Sequence, residues 1–80
     1  MYFEILGDIS IGGTLAFGGP MPEMRRLNRC YGPGLWKKIY GTARVQLPDG
    51  TLKFAELHWY EKQGTEPKEY KIKRFVDAVL

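Results

Sequence analysis

The sequence predicts an α+β fold, with one short helix packed on a small antiparallel β-sheet of three or more strands. Three observations predict it. Residues 42–61 hold two runs of alternating apolar and polar side chains around a Pro-Asp-Gly turn. Residues 22–31 place apolar side chains at helical spacing and stop at Gly32-Pro33-Gly34. Residues 69–75 return to a two-residue period. Joined in order, the strands make a meander, which could curl toward an SH3-like barrel if the N-terminal segment adds strands.

Residues 1–20 read as a glycine-rich accessory lead-in to a small α+β domain over residues 21–80, because glycine content and charge both change after Pro20. Residues 2–6 suit a short strand, and Ile9 and Ile11 alternate with Asp8 and Ser10 as a second strand would. Gly7, Gly12-Gly13 and Gly18-Gly19-Pro20 interrupt both. Glycine makes ordering costly, so paired strands and a mobile arm both fit.

The helix begins with Pro22, which a first turn tolerates, and Glu23, which suits the positive end of the helix dipole. Met24, Leu27 and Tyr31 form an apolar stripe with Cys30 beside it, and this predicts a buried, structural thiol. Arg25, Arg26 and Arg29 fall largely away from the stripe. Residues 35–40 fit either a helical turn or the start of a strand.

In the hairpin, Ala43, Val45 and Leu47 alternate with Thr42, Arg44 and Gln46. Leu47-Pro48-Asp49-Gly50-Thr51 is a strong turn, with proline presetting one φ and aspartate capping locally. On the return strand, residues 52–61, Ala55, Leu57 and Trp59 form the apolar face. Glu56, His58 and Tyr60 point the other way, with Phe54 in phase with them. After a polar loop at residues 62–68, Tyr70 and Ile72 alternate with Lys71 and Lys73. Residues 75–80 are apolar enough to pack as a final strand or helical turn.

Composition narrows the functional classes. The chain has 80 residues, one cysteine and one histidine, so it can form neither an intrachain disulfide nor a zinc site of four Cys/His ligands. Sequence reading therefore expects no metal and no cofactor. No segment approaches the roughly 20 apolar residues of a membrane helix, and no base precedes the first apolar residues as a secretory signal requires. These features, with the lone cysteine, predict a cytoplasmic protein with no membrane partner. The net charge is +3, but residues 1–24 contain no base, whereas residues 25–80 hold all twelve cations against six acids. That asymmetry suits a nucleic-acid or acidic protein partner.

Two constellations are candidates for chemistry. Glu56, His58 and Tyr60 share one face of a strand. A carboxylate beside an imidazole can orient a general base, and Arg44 or Lys53 as cross-strand neighbours could steady a developing anion, as in metal-independent RNA cleavage. The second constellation is a set of cations interleaved with Trp36, Tyr40, Tyr60 and Tyr70. Arg25, Arg26, Arg29, Lys37, Lys38, Arg44, Lys53, Lys71, Lys73 and Arg74, with Tyr60, are its binding residues if the face takes phosphates and stacked bases. The glycine pairs lack the following lysine of a phosphate loop. A non-enzymatic binding module with a basic face is the leading expectation. A small ribonuclease-like toxin using His58 and an adaptor that forms a homodimer through an uncovered sheet face are the alternatives.

Arg26-Leu27-Asn28-Arg29, Tyr31-Gly32, Trp36-Lys37-Lys38, Gly41-Thr42-Ala43, Leu47-Pro48-Asp49-Gly50, the run from Ala55 to Glu61 and Lys71-Ile72-Lys73-Arg74 form a set. Together they resemble short, uncharacterised prokaryotic proteins with a helix–hairpin–strand core. The resemblance covers residues 25–76, implies no activity, and leaves residues 1–20 peripheral.

Overall fold

The computed structural model describes residues 2–76. Its elements in chain order are β1 (Glu4–Phe17), α1 (Met24–Tyr31), β2 (Lys37–Gln46), β3 (Leu52–Glu61) and β4 (Lys68–Val76). The four strands form one sheet in sequence order, every neighbouring pair antiparallel. The expected helix and meander are therefore present. The sheet stays open, with β1 and β4 as its edges, and does not reach an SH3-like barrel.

The hairpin between β2 and β3 sets the frame. Its register runs unbroken from Lys37↔Glu61 to Gln46↔Leu52. The turn is held by Leu47 N–H donating to the Thr51 carbonyl at 2.9 Å and by Thr51 N–H donating to Asp49 Oδ1 at 2.9 Å. Because side chains alternate along a strand, this register fixes two faces. One, the core face, carries Ile39, Ala43, Val45, Ala55, Leu57 and Trp59, all buried. Phe3, Ile5, Ile9, Leu47, Tyr70 and Ile72 pack around them. A fully buried side chain of this kind contributes about 1.5–3 kcal/mol.

Gly41 makes that packing close. A Cβ there would lie 3.0 Å from Trp59 Cη2 and 2.7 Å from the Ser10 carbonyl oxygen. The missing side chain is what lets the indole lie against the β1–β2 ladder.

The opposite face, here the helix face, is covered by α1 at one end only. Leu27 and Met21 meet Trp36 and Tyr60 in a second buried cluster, with Ala16 and Met24 at its margin. The helix begins two residues later than its sequence suggests, since Pro22 and Glu23 lie in the turn before it. Leu27 is the single buried residue of α1, and Tyr31 and Cys30 are exposed. The thiol expected in the core lies on the surface. At the helix C-terminus, Trp36 Nε1–H donates to the Gly32 carbonyl at 3.3 Å and Gly34 N–H donates to Asn28 Oδ1 at 3.2 Å.

Residues expected as a lead-in form β1, which pairs with β2 along its length. Its fourteen residues lie against the ten of β2, with register breaks between Leu6 and Ser10, Ile11 and Gly13, and Thr14 and Ala16. Each extra residue bulges the strand and hides its two-residue period from a sequence reading. Residues 35–40 resolve as strand from Lys37 onward. The apolar tail expected at residues 75–80 begins as the end of β4, and residues 77–80 lie outside the described residues.

Candidate nucleic-acid interface

The unbroken β2–β3 register places Tyr40 beside His58, Thr42 beside Glu56 and Arg44 beside Phe54. Two bulges in β4 then bring Lys71 beside His58 and Arg74 beside Glu56. These residues share the helix face beyond the end that α1 covers. His58 thus points away from the core, and Trp59, 2% exposed, points into it.

Glu56 is the centre of the polar group. Its Oε2 lies 2.8 Å from His58 Nε2, and its Oε1 accepts a hydrogen bond from Arg74 Nε at 3.0 Å. The hydrogen bond from His58, then that from Arg74, holds the Glu56 carboxyl below the usual glutamate range. Tyr40 tilts toward the imidazole with ring centroids 6.3 Å apart. An ionised carboxylate only accepts, so Nε2 carries the proton. Nδ1 is buried and has no hydrogen-bond partner. Neither imidazole nitrogen is presented to the open face. A general base must come within hydrogen-bond reach of the proton it takes; here Nε2 is engaged by Glu56 and Nδ1 is buried.

Tyr60 does not join the pair. It is 4% exposed beneath α1, and its hydroxyl donates to Glu23 Oε1 at 3.1 Å. Burial, then the bond to Glu23, raises its pKa. Although Tyr60 has the phase of His58, the helix covers it, which removes it from both the catalytic and the binding set. Trp36 is also core, packed under the helix.

The structure divides the expected basic surface. Arg26 donates two hydrogen bonds to Glu69, at 2.7 and 2.9 Å, and is committed to tying α1 to β4. Lys38 lies 3.8 Å from Glu23 at the edge of the helix cluster. Lys53 pairs in register with Val45, so it belongs to the core-face side, where its ammonium stands over the Phe75 ring. It is therefore not beside Glu56 and His58, where the sequence offered it as an alternative to Arg44. Lys37 pairs with Glu61 beside the loop after β3. Arg25 and Arg29 are exposed on α1, and Lys73 is exposed on β4.

Arg44, Lys71 and Arg74 lie on the uncovered helix face, Arg44 level with Phe54, Arg74 with Glu56 and Lys71 with His58. Arg44 and Lys71 make no ion pair among the described residues, and Arg74 stays 69% exposed while bonded to Glu56. Among them stand Phe54, 39% exposed, and Tyr40, half-buried.

Neither Glu69 nor Phe54 is among the site residues the sequence suggested. Glu69 sits at φ 61, in the left-handed region, within one of the β4 bulges. It accepts from Arg26 and, at 2.7 Å, from the Tyr31 hydroxyl. Arg26, then Tyr31, keeps its carboxyl below the usual range. Nothing in the surrounding residues signals a bulge there. Phe54 was read in the correct phase, and its exposure beside Arg44 follows from the register alone. No protein-family model, curated protein or solved structure matches this chain. Among the described residues no helix is long and apolar enough to cross a membrane.

Proposed function

We propose that the chain is a non-enzymatic module that binds single-stranded nucleic acid on the uncovered helix face. The observation that carries this reading is that Arg44, Lys71 and Arg74 share one uncovered sheet face with the exposed ring of Phe54 and the half-buried ring of Tyr40. Aromatic faces on an open sheet stack bases, and cations around them neutralise phosphates. Glu56 and His58 act here as a rigid floor: the carboxylate aligns Arg74 and holds the imidazole against Tyr40. An acidic protein would use the cations but would leave the aromatic ring idle.

Fluorescence anisotropy with labelled single-stranded RNA and DNA tests the reading. Three phosphate contacts give a slope of roughly −2 in log affinity against log salt. Phe54→Ala should weaken binding about tenfold or more at constant salt, since stacking is worth about 1–3 kcal/mol per base. Lys53→Glu changes net charge equally to Arg44→Glu but on the other face, so only Arg44→Glu should abolish most of the affinity. Equal losses from the two, or no binding at low salt, would refute the proposed face. The Glu56–His58 pair has the composition of a ribonuclease site, but its buried, unpartnered Nδ1 favours the binding reading.

A further inference from the structure

The first break in the β1–β2 ladder lies beside the proposed nucleic-acid surface. Between the pairs Leu6↔Arg44 and Ser10↔Thr42, β1 advances four residues while β2 advances two. Gly7, at φ 74, takes the left-handed conformation there, and a Cβ on it would meet nothing within 4 Å. What glycine supplies is therefore backbone freedom, not space. Bulges of this kind re-aim side chains.

An open hollow of about 590 Å³ lies at the break. Leu6, Asp8, Ser10, Thr42, Arg44 and Phe54 line it, and Ile9 and Ala43 complete the wall. One aromatic ring, one guanidinium and one carboxylate thus border a single space. Asp8 is exposed and makes no ion pair among the described residues. Glu56, on the same face, is by contrast engaged by His58 and Arg74. A free carboxylate beside cations repels phosphate and weakens sequence-independent binding. It favours binding only where a ligand brings hydrogen-bond donors to it.

We propose that this hollow takes a guanine base of the bound strand, an inference that rests on the nucleic-acid reading above. A carboxylate offers two acceptor oxygens and no donor. Guanine sets two adjacent donors, N1–H and the N2 amino group, on its Watson–Crick edge, and these match both oxygens of Asp8. Adenine and cytosine set one amino donor beside an acceptor nitrogen. Uracil and thymine flank their one N–H with carbonyls. Each of these three patterns turns a lone pair toward the carboxylate. The hydroxyls of Ser10 and Thr42 both donate and accept, so they suit any base, and the choice falls to Asp8. Phe54, 39% exposed, stacks on the base. Arg44 keeps the adjoining phosphate and offsets the charge of Asp8.

Fluorescence anisotropy with labelled oligouridines of about eight nucleotides tests the assignment, the central position carrying guanosine, inosine, adenosine, cytidine or uridine. The guanosine oligomer should bind about tenfold more tightly than the uridine one. Inosine, which lacks the N2 amino group, should fall between them. Asp8→Asn alters an exposed position and should remove most of the guanosine advantage, with affinity for the uridine oligomer unchanged or higher. Arg44→Ala should weaken all five oligomers alike and preserve their ratios. Equal binding of guanosine and uridine oligomers, with the Arg44 dependence intact, would overturn the guanine assignment and leave the binding face standing. A guanosine preference undiminished by Asp8→Asn would do the same. Failure of every oligomer to bind at low salt would overturn both.

Discussion

The two faces of β3 are built from adjacent residues yet obey different rules. Ala55, Leu57 and Trp59 are all buried, and their β2 neighbours Ala43, Gly41 and Ile39 are buried with them. On the other face, Tyr60 is buried under α1, His58 and Glu56 are half-buried in a polar group, and Phe54 is exposed. The core face is set by the sheet's own pleat. The helix face is set by where one short helix happens to end. Stability should therefore concentrate on odd-numbered positions of β3, and tolerance should grow along the even-numbered ones with distance from the helix.

The largest expected effect breaks the core face. Trp59→Ala should cost about 3–5 kcal/mol in urea unfolding, a large share of the roughly 5–15 kcal/mol of a whole domain. A loss below about 1 kcal/mol would mean the indole is not packed as described. Gly41→Ala should come next, at about 1–3 kcal/mol, because the added methyl meets the Ser10 backbone as well as the Trp59 ring. The same assay checks it, and the double substitution with Trp59→Phe should cost less than the sum, because the smaller ring relieves part of the clash.

Glu69→Gln should cost about 1 kcal/mol, the size suited to a partly exposed ion pair, and should loosen α1 without disturbing the core face. It also carries a pH signature. The folded carboxyl lies below its ordinary value of 4.5, so its contribution is complete above that value and lost as pH falls through the lower folded one. Unfolding curves for wild type and variant should accordingly differ at neutral pH and converge in acid. The smallest effect sharpens the comparison from the other side. Arg44→Ala should shift stability by no more than about 0.5 kcal/mol while reducing nucleic-acid affinity, which would separate the face that binds from the face that folds.

The hairpin was legible because its information is local. Alternation fixed the phase of Trp59 and His58, and Pro48-Asp49-Gly50 fixed the turn that sets their register. Tyr60 has the phase expected of it, that of His58, but not the expected exposure. Whether it meets water depends on Leu27, more than thirty residues away in sequence. Cys30 failed for the same reason: a helical stripe names the residues that face one way, not how many of them reach the sheet. β1 was obscured by its bulges, which insert residues without a compositional mark beyond glycine. The basic patch was legible as charge, but its division by Glu23, Glu56 and Glu69 is a matter of tertiary placement.

One indole lies in each buried cluster, Trp59 within the sheet core and Trp36 beneath the helix. The chain has no other tryptophan, so Trp36→Phe and Trp59→Phe leave a single intrinsic fluorophore in each compartment. Emission from the two proteins would then report whether helix and sheet melt as one cooperative unit. An earlier red shift from the Trp36 reporter would reveal a helix that detaches first, uncovering Tyr60 and enlarging the very face proposed to meet nucleic acid.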